Sequence, residues 1–219
     1  MHLHMRIPDD ILSNKEGQFC IECFSKTVER VLEAGLTYYH CGSCGKTLER
    51  SLVIDNHIVW WVDGVTKEYW HESVGIFIFN LKNKALFFKR TIYPFALTIP
   101  AGHLDADEDA QTASKRELFE ETGIEITADN INFFSEEDVI GDKCRRGADN
   151  HKWHLYTTRV KSIATPKIND EGVKPVWLPL EEALQKEPVY PVKYFIEKYG
   201  NQLLDNTCLG ENRGQPIGV

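Results

Sequence analysis

Four of the six cysteines form two Cys-x2-Cys pairs, and the pairs are separated by 17 residues. A tetrahedral zinc–thiolate site needs two close pairs presented by two turns, and this spacing is typical of four-cysteine zinc sites. Disulfide or redox pairing is the alternative. Residues 19–50 hold too few bulky apolar side chains for a core of their own, so a segment this short needs a metal or cross-links. The sequence therefore predicts a structural Zn²⁺ ion bound by Cys20, Cys23, Cys41 and Cys44.

The net charge of the chain limits its partners. Thirty-three acidic residues against 25 Lys and Arg give a net charge of −8, the wrong sign for a protein held mainly by nucleic-acid phosphates. No apolar run approaches the ~18 residues that span a bilayer, and the first residues lack the apolar stretch of a secretory signal. We therefore expect a cytoplasmic protein with no membrane partner, for which nucleic acid is an unlikely partner as well.

Changes in pattern divide the chain into four parts. Residues 1–50 are interpreted as a loose arm followed by the cysteine segment. Residues 51–72 alternate apolar and polar side chains around Asp63-Gly64, which predicts an aromatic linker hairpin. Residues 73–205 form the main domain, and the polar, Gly-rich residues 206–219 are expected to be a flexible tail.

Strand and helix patterns are mixed within the main domain. Strands are predicted at 73–80, 84–90, 97–101, 131–140, 153–161 and 173–178, and helices at 108–122, 180–186 and 191–204. Asp105 is expected to cap the first helix together with Glu108, and Gly123 to end it. Because strict βαβ alternation is absent, an α+β fold with a mixed sheet is favoured over a Rossmann fold.

The helix at 108–122 carries three carboxylates on one face. At 100° per residue, Glu117, Glu120 and Glu121 share an arc of roughly 100°. Arg116 can pair with Glu120 one turn later, but one guanidinium does not neutralise three acids. A hard divalent cation with oxygen ligands would, so the pattern points to Mg²⁺ or Mn²⁺. The alternative is a solvated acidic helix face.

The spacing around these acids resembles a known motif. From Gly102 the chain reads Gly-x5-Glu-x7-Arg-Glu-Leu-Phe-Glu-Glu-Thr-Gly-Ile, which is similar to the Nudix box at every specified position. The resemblance implies an α/β/α sandwich that hydrolyses a nucleoside diphosphate linked to another moiety. It also implies that Glu117, Glu120 and Glu121 bind the metal, that Glu108 and Arg116 form a supporting ion pair, and that the backbone at Gly102 adds a carbonyl ligand.

The resemblance leaves the general base open. Nudix enzymes often use a carboxylate on a loop downstream of the box, and Glu171 is the best placed here. Glu136, Glu137 and Asp138 form a rival cluster, and Glu117 is a further alternative. Each loop acid can also be an ordinary solvated side chain.

The cysteine segment resembles a zinc ribbon, and a ribbon ahead of a Nudix box is similar to the NADH pyrophosphatase and ADP-ribose pyrophosphatase branches. The downstream SQPWPFPxS motif of the NADH branch is absent. The expected substrate is therefore ADP-ribose, an NADH-like dinucleotide or an NDP-sugar, cleaved to release a nucleoside monophosphate. The alternatives are a catalytically weak nucleotide sensor and an RNA 5′-end hydrolase.

The charge of residues 1–50, six Lys and Arg against seven Asp and Glu, favours a structural or dimer-forming ribbon over a nucleic-acid-binding one. A homodimer is expected from the family resemblance and from the aromatic residues that follow the ribbon. We interpret those aromatics as filling an interface, with nucleobase stacking as the alternative; they are Trp60, Trp61, Tyr69 and Trp70.

Several further side chains are given ordinary roles. Solvated surface is expected for Arg90, Arg145 and Arg146, with phosphate binding as the alternative. His151 and His154 are spaced i,i+3, which places them on opposite faces of a strand and argues against a shared metal site. The two cysteines outside the pairs, Cys144 and Cys208, are interpreted as incidental thiols.

Overall fold

The computed structural model describes residues 6–13, 16–127, 130–161 and 166–206. The N-terminal elements are α1 (Asp9–Ser13), β1 (Gly17–Cys20), β2 (Val28–Glu33), β3 (Leu36–Cys41), β4 (Thr47–Leu48) and β5 (Ser51–Ile54). They are followed by β6 (Trp60–Val62), β7 (Tyr69–Phe79), β8 (Ala85–Arg90), β9 (Leu97–Thr98), β10 (Ala101–His103) and α2 (Ala110–Thr122). The last elements are β11 (Ile131–Val139), β12 (Asn150–Arg159), β13 (Gly172–Leu178), α3 (Leu180–Gln185), α4 (Tyr190–Tyr199) and α5 (Gln202–Asp205).

The N-terminal elements form two small antiparallel sheets. Strands β2, β3 and β4 make one, and β1 pairs with β5 in the other. Where the sequence suggests a loose arm, α1 packs onto these strands, because Ile7 and Ile11 are buried against Phe19 and Leu52. The arm prediction for residues 1–5 and 14–15 lies outside the described residues.

The main domain is built on an eight-stranded sheet. Its central path runs β11-β12-β7-β8-β13, and the short strands β6, β9 and β10 add to β7 and β8. Strand β12 pairs with β7 in parallel, whereas the other pairings in this sheet are antiparallel. The sheet is therefore mixed, as predicted.

Strand β7 is buried on both faces, which explains its nearly continuous apolar run. Ile76 and Ile78 pack with Leu118 of α2 on one face. Phe77 packs with Phe195 of α4 on the other. Since successive strand residues point to opposite faces, helices cover both sides of the sheet. The predicted α+β class, with three layers, is confirmed.

The helix α2 begins later than predicted. Its N-cap is Asp109, whose side chain accepts hydrogen bonds from the backbone N–H groups of Gln111 and Thr112. The expected cap, Asp105, lies too far before the first helical residue to cap it; its backbone bridges to Ile58 and its carboxylate lies 3.7 Å from Arg116. The helix ends as predicted at Gly123, which adopts the left-handed conformation at φ 68°.

Only part of the predicted linker hairpin exists. The turn at residues 63–64 joins β6 to β7, with Trp60 opposite His71. Strand β5, by contrast, pairs with β1, with Ile54 opposite Gly17, because its apolar residues complete the core under the N-terminal sheets.

Two further elements are divided. The predicted strand at 97–101 is split into β9 and β10. The helix predicted at 191–204 is split into α4 and α5 at Gly200, which has a positive φ of 49°. Of the predicted tail, only Asn206 is among the described residues. No helix in the described part of the chain is long and apolar enough to cross a membrane.

Candidate functional site

A cavity of about 340 Å³ opens between α2, the start of β10 and two loops, at residues 142–146 and 169–171. Acidic side chains line one wall and basic side chains another. The lining includes Arg90, Gly102, Glu117, Glu120, Glu121, Arg145, Arg146 and Glu171.

The acidic wall is formed by the three carboxylates predicted from the helical spacing. The side chains of Glu117 and Glu120 are 14% and 54% exposed, and Glu121 is 5% exposed. Burial raises the pKa of Glu117 to about 7 and that of Glu121 to about 8. Three carboxylates, two of them largely buried, therefore lie together in the cavity and offer the hard oxygen donors that a divalent cation site requires.

Arg116 organises these carboxylates. Its Nη1 donates to Glu117 at 2.7 Å and to Glu120 at 3.3 Å. Its Nη2 donates to Glu108 at 2.9 Å and to the carbonyl of His103 at 3.2 Å. The ion pair implied for Glu108 and Arg116 is thus present, and it joins α2 to the end of β10.

Gly102 allows the closest approach of strand and helix. A Cβ placed there would lie 2.0 Å from the Glu117 carboxyl carbon, well inside van der Waals contact. Next to it, the Ala101 N–H donates to Glu121 Oε2 at 2.8 Å. The strand backbone therefore lies directly against two of the three carboxylates.

The basic wall corrects the expectation of solvated arginines. Arg145 donates to Glu171 at 2.9 Å, and Arg146 donates to Asp55 at 2.8 Å. Arg90 also lines the cavity, and its Nε is buried without a hydrogen-bond partner among the described residues. All three guanidinium groups belong to the cavity because the loops and β8 fold towards α2.

Of the acids proposed as the general base downstream of the box, Glu171 is the one that lines the cavity. Glu136 pairs with Lys152 at 3.0 Å and with His154 at 3.4 Å. Glu137 pairs with Lys198 and accepts a hydrogen bond from Tyr194. Neither of these nor Asp138 lines the cavity formed by the described residues.

The four aromatic residues of the predicted linker lie outside the cavity. Trp61 stacks on Trp70 with ring centroids 5.4 Å apart, and Trp60 meets the edge of Tyr69 at 5.7 Å. Tyr69 and Trp60 pack into the apolar cluster that includes Phe19, Leu52 and Ile54. Trp60 and Tyr69 therefore fill the contact between the N-terminal strands and the main sheet. None of the four rings lines the cavity.

The four paired cysteines converge on one point. Cys20 Sγ lies 3.8 Å from Cys44 Sγ, and Cys23 Sγ lies 3.7 Å from Cys41 Sγ. Two thiolates about 2.3 Å from a tetrahedral zinc would be separated by about 3.8 Å. The cysteines are free thiols rather than disulfides, and their arrangement fits a zinc ribbon.

A second cluster is absent from the sequence predictions. One ligand atom from each of its four members lies within 4.8 Å of all the others; the members are His71, His103, Cys144 and His151. Burial lowers the pKa of His103 to about 3, so this imidazole is neutral. The interpretation of Cys144 as an incidental thiol is therefore revised, whereas Cys208 lies outside the described residues.

The prediction for the histidine pair on β12 agrees with this arrangement. His151 points to the cluster, whereas His154 contacts Glu72 at 2.9 Å, so the two do not share a site. The sequence carries one local signal for the cluster, Cys144 seven residues before His151. The other two members come from separate strands.

The NUDIX domain family model matches residues 69–198. The chain belongs to the Nudix family. The match covers β7 to α4 and includes the whole segment from Gly102 to Ile124. Nudix enzymes hydrolyse the pyrophosphate bond of nucleoside diphosphate derivatives with the help of a divalent metal, so the predicted enzyme class is confirmed.

Solved structures show the same fold. The MutT protein from Methanosarcina mazei Go1 is 20% identical with a TM-score of 0.51, over 61% of this chain and 94% of that one. The NUDIX domain of Shewanella oneidensis NrtR, complexed with ADP ribose, is 21% identical with a TM-score of 0.52, over 64% and 93%. The dihydroneopterin triphosphate pyrophosphohydrolase of E. coli is 16% identical with a TM-score of 0.50, over 58% and 92%. No curated protein matches the chain.

Proposed function

We propose that this Nudix protein hydrolyses the pyrophosphate bond of a nucleoside diphosphate linked to another moiety and releases a nucleoside monophosphate. The substrate candidates are ADP-ribose, an NADH-like dinucleotide and an NDP-sugar. The observation that carries the proposal is the cavity in which Glu117, Glu120 and Glu121 face Arg145 and Glu171.

The charges of the two walls suit a pyrophosphate bridged by a cation. The carboxylates offer hard oxygen donors, which Mg²⁺ and Mn²⁺ prefer. An ion held by these carboxylates would supply charge neutralisation at the phosphoryl oxygens and would lower the pKa of the attacking water. Burial raises the pKa values of Glu117 and Glu121, so a cation bound beside them would offset the cost of ionising both carboxylates in the interior.

The other residues of the helix position these ligands. Arg116 holds Glu117 and Glu120 through Nη1, so that both carboxylates keep one orientation. The Ala101 N–H fixes Glu121 from the strand side. Phosphoryl transfer depends mainly on such positioning and on charge neutralisation, so these contacts matter more than any covalent step by the protein.

We propose Glu171 as the general base. It lies across the cavity from α2, and its carboxylate is oriented by Arg145 at 2.9 Å. In this arrangement Glu171 accepts the proton of the attacking water, and Arg145 offers positive charge to the phosphate being displaced. Glu117 is the alternative base, since its carboxylate lies in the same cavity.

The first experiment is a hydrolysis assay on the purified full chain with Mg²⁺. Release of AMP, other nucleoside monophosphates and phosphate is measured for ADP-ribose, NADH, diadenosine polyphosphates, NDP-sugars and NTPs. We expect turnover of at least one nucleoside diphosphate derivative, abolished by Glu120→Gln. The matched control is Glu125→Gln, which removes an exposed acid just beyond α2 that does not line the cavity.

Two outcomes would replace the proposal. Binding of these nucleotides, detected as thermal stabilisation, with no turnover would favour the sensor alternative. That alternative is of interest because the similar NUDIX domain of NrtR was crystallised with ADP ribose. Hydrolysis confined to RNA 5′ ends would favour the third candidate, although the linker aromatics that suggested it do not line the cavity.

We also propose that the protein is a cytoplasmic homodimer. Free thiols at all the described cysteines suit a reducing compartment, and the family resemblance suggests dimerisation. Multi-angle light scattering of the full chain should give about twice the 25.2 kDa chain mass, and a monomer mass at micromolar concentration would refute the dimer.

A further inference from the structure

Three histidines of the second cluster lie side by side on adjacent strands. Within the parallel pair of β12 and β7, His151 is directly opposite His71. In the antiparallel pair of β10 and β7, His103 is opposite Ser73, two residues beyond His71 and so on the same face. The ring centroids of the three histidines are 4.8 to 5.7 Å apart.

The fourth member comes from the loop that joins β11 to β12. Cys144 Sγ lies 3.7 Å from His71 Nδ1. A tetrahedral zinc with Zn–S of about 2.3 Å and Zn–N of about 2.0–2.1 Å would separate sulfur and nitrogen by about 3.6 Å, and two nitrogens by about 3.4 Å. The cluster, with its ligand atoms all within 4.8 Å, is thus close to the size that one ion requires.

Two ring nitrogens of the cluster are buried without a hydrogen-bond partner among the described residues. His71 is fully buried, and its Nε2 has no hydrogen-bond partner among the described residues. The buried Nε2 of His103 also has no hydrogen-bond partner among the described residues. A buried polar nitrogen without a partner is unfavourable, so the orphaned Nε2 of His103, in a cluster that also holds the Cys144 thiol, indicates a missing ligand there. His71 faces the same thiol through Nδ1.

The third histidine has the contacts that a metal ligand needs. His151 Nδ1 donates to the Asp142 carbonyl at 2.7 Å and lies 3.2 Å from its carboxylate. This leaves His151 Nε2 as the free nitrogen. Asp142 is itself fixed by the indole N–H of Trp153 at 2.7 Å. Metal-bound histidines are regularly held by a carbonyl or carboxylate in this way.

We propose that His71, His103, Cys144 and His151 bind a second zinc ion, separate from the ribbon. Nitrogen and sulfur donors select Zn²⁺ over the oxygen-seeking ions expected at α2. Four protein ligands close the coordination sphere, which is characteristic of a structural site. The ion is therefore a positioning element rather than the ion that acts on the substrate.

What the ion would hold in place is the basic wall of the cavity. Cys144 precedes Arg145, which pairs with Glu171. His103 follows Gly102, and its carbonyl accepts from Arg116. One ion thus connects the loop that carries the basic side chains to the strand that lies against the carboxylates. The fixed distance between these two walls is what binding of a pyrophosphate between them would require.

Metal content tests the proposal without any reference to catalysis. The full chain is dialysed against metal-free buffer. Its zinc content is measured by inductively coupled plasma mass spectrometry, and its zinc ligands are identified by X-ray absorption spectroscopy at the zinc edge. We expect two zinc ions per chain. The two sites offer five sulfur and three nitrogen ligands in all, so the average zinc should show about 2.5 sulfur and 1.5 nitrogen neighbours.

Variants assign the second ion. Cys144→Ala and His71→Gln should each reduce the content to one zinc ion surrounded by sulfur alone. The matched control is His154→Gln, on the same strand as His151 but outside the cluster, which should retain two.

The wild-type measurement keeps the proposal testable even if the cluster variants fail to fold. One zinc per chain with only sulfur neighbours would overturn it, and so would a folded Cys144→Ala variant that retains two zinc ions. A second ion of another element would overturn the assignment to zinc. A wild-type protein that holds both zinc ions but hydrolyses none of the nucleotides would instead count against the proposed function.

Discussion

The cavity has two donor sets on neighbouring walls, and they are assembled in opposite ways. The carboxylates Glu117, Glu120 and Glu121 all come from the last turns of one helix. The nitrogen and sulfur donors come from three strands and a loop, and up to 80 residues separate them in the chain. The first set depends on local helix geometry, whereas the second exists only when the sheet has formed.

The two sets also differ in the groups that the protein leaves available to a metal: a buried carboxylate in the first set and ring nitrogens in the second. Arg116 binds two of the carboxylates, yet Glu121 remains buried with a raised pKa. In the other set, Asp142 orients His151 while His71 and His103 keep unpartnered nitrogens. The difference predicts two kinds of metal with separate roles: an exchangeable hard ion for the reaction and a retained soft ion for the framework.

The largest expected effect comes from the acidic wall. Glu117→Gln should lower kcat/KM by about 10³-fold or more, which corresponds to about 4 kcal/mol of transition-state stabilisation. It should leave both zinc ions in place, because Glu117 belongs to neither cluster. Activity across Mg²⁺ concentrations and zinc content are the measurements. A loss of zinc in this variant would show that the two walls are not independent.

The next effect concerns the close approach of strand and helix. Gly102→Ala should lower kcat/KM by about 10²-fold, because the new methyl group displaces the Glu117 carboxylate by an ångström or more. The unfolding free energy should change by less than about 1 kcal/mol, since the displaced atoms are the end of a flexible side chain. Kinetics and thermal melts measure the two quantities. An equally active variant would exclude Glu117 from the metal site.

A third effect is a pH dependence of stability without added Mg²⁺. The pKa of Glu121 is about 8 in the fold and about 4.3 in the unfolded chain. Folding therefore favours the protonated acid, and this contribution, complete below the unfolded pKa, is lost as pH rises through about 8. Glu121→Gln, which can still accept from Ala101 N–H, should become increasingly more stable than wild type between pH 5 and pH 8.5.

Thermal melts of both proteins across this range measure the difference, and added Mg²⁺ should reduce it by compensating the charge in the wild type. A difference that stays constant with pH would mean that Glu121 is ionised in the fold without a metal.

The smallest effect belongs to the local stability of the helix. Asp109→Ala removes the side chain that caps α2 and should cost about 1 kcal/mol of stability. Both zinc ions should remain, and kcat/KM should change less than twofold, because the cap lies two turns before the carboxylates. Asp107→Ala, nearby but outside the cap, is the control. A large loss of activity would show that the start of the helix sets the geometry of the carboxylates.

The helical side of the site could be predicted from sequence because its chemistry is encoded at spacings of three and four residues. The paired cysteines were equally accessible, since each pair sits within one turn. The histidine cluster could not be predicted, because strand order decides that His71 lies beside His151 and no pattern in the sequence gives the β7–β12 pairing. The arginines were misjudged for the same reason: Arg145 is exposed or part of the cavity depending on where its loop packs.

The predicted boundaries of helices and strands were wrong where a tertiary contact competed with a local sequence preference. Asp105 has the right chemistry and spacing for a cap, yet its backbone pairs with Ile58 and its carboxylate lies near Arg116, so the helix begins later and Asp109 caps it. Strand β5 has the alternation of a hairpin arm, yet its apolar face completes the core below β1.

One side chain makes the loop of the Nudix domain dependent on the N-terminal module. Arg50, at the end of the ribbon, donates to the carbonyls of Cys144 and Ala148 at 2.8 and 2.7 Å. Arg50 therefore holds the loop that contains Cys144 and Ala148, although it lies outside the Nudix domain. A ribbon transplanted from another protein would have to bring an arginine to this place. For this reason the two modules are expected to evolve, and to be exchanged by protein engineers, as a single unit.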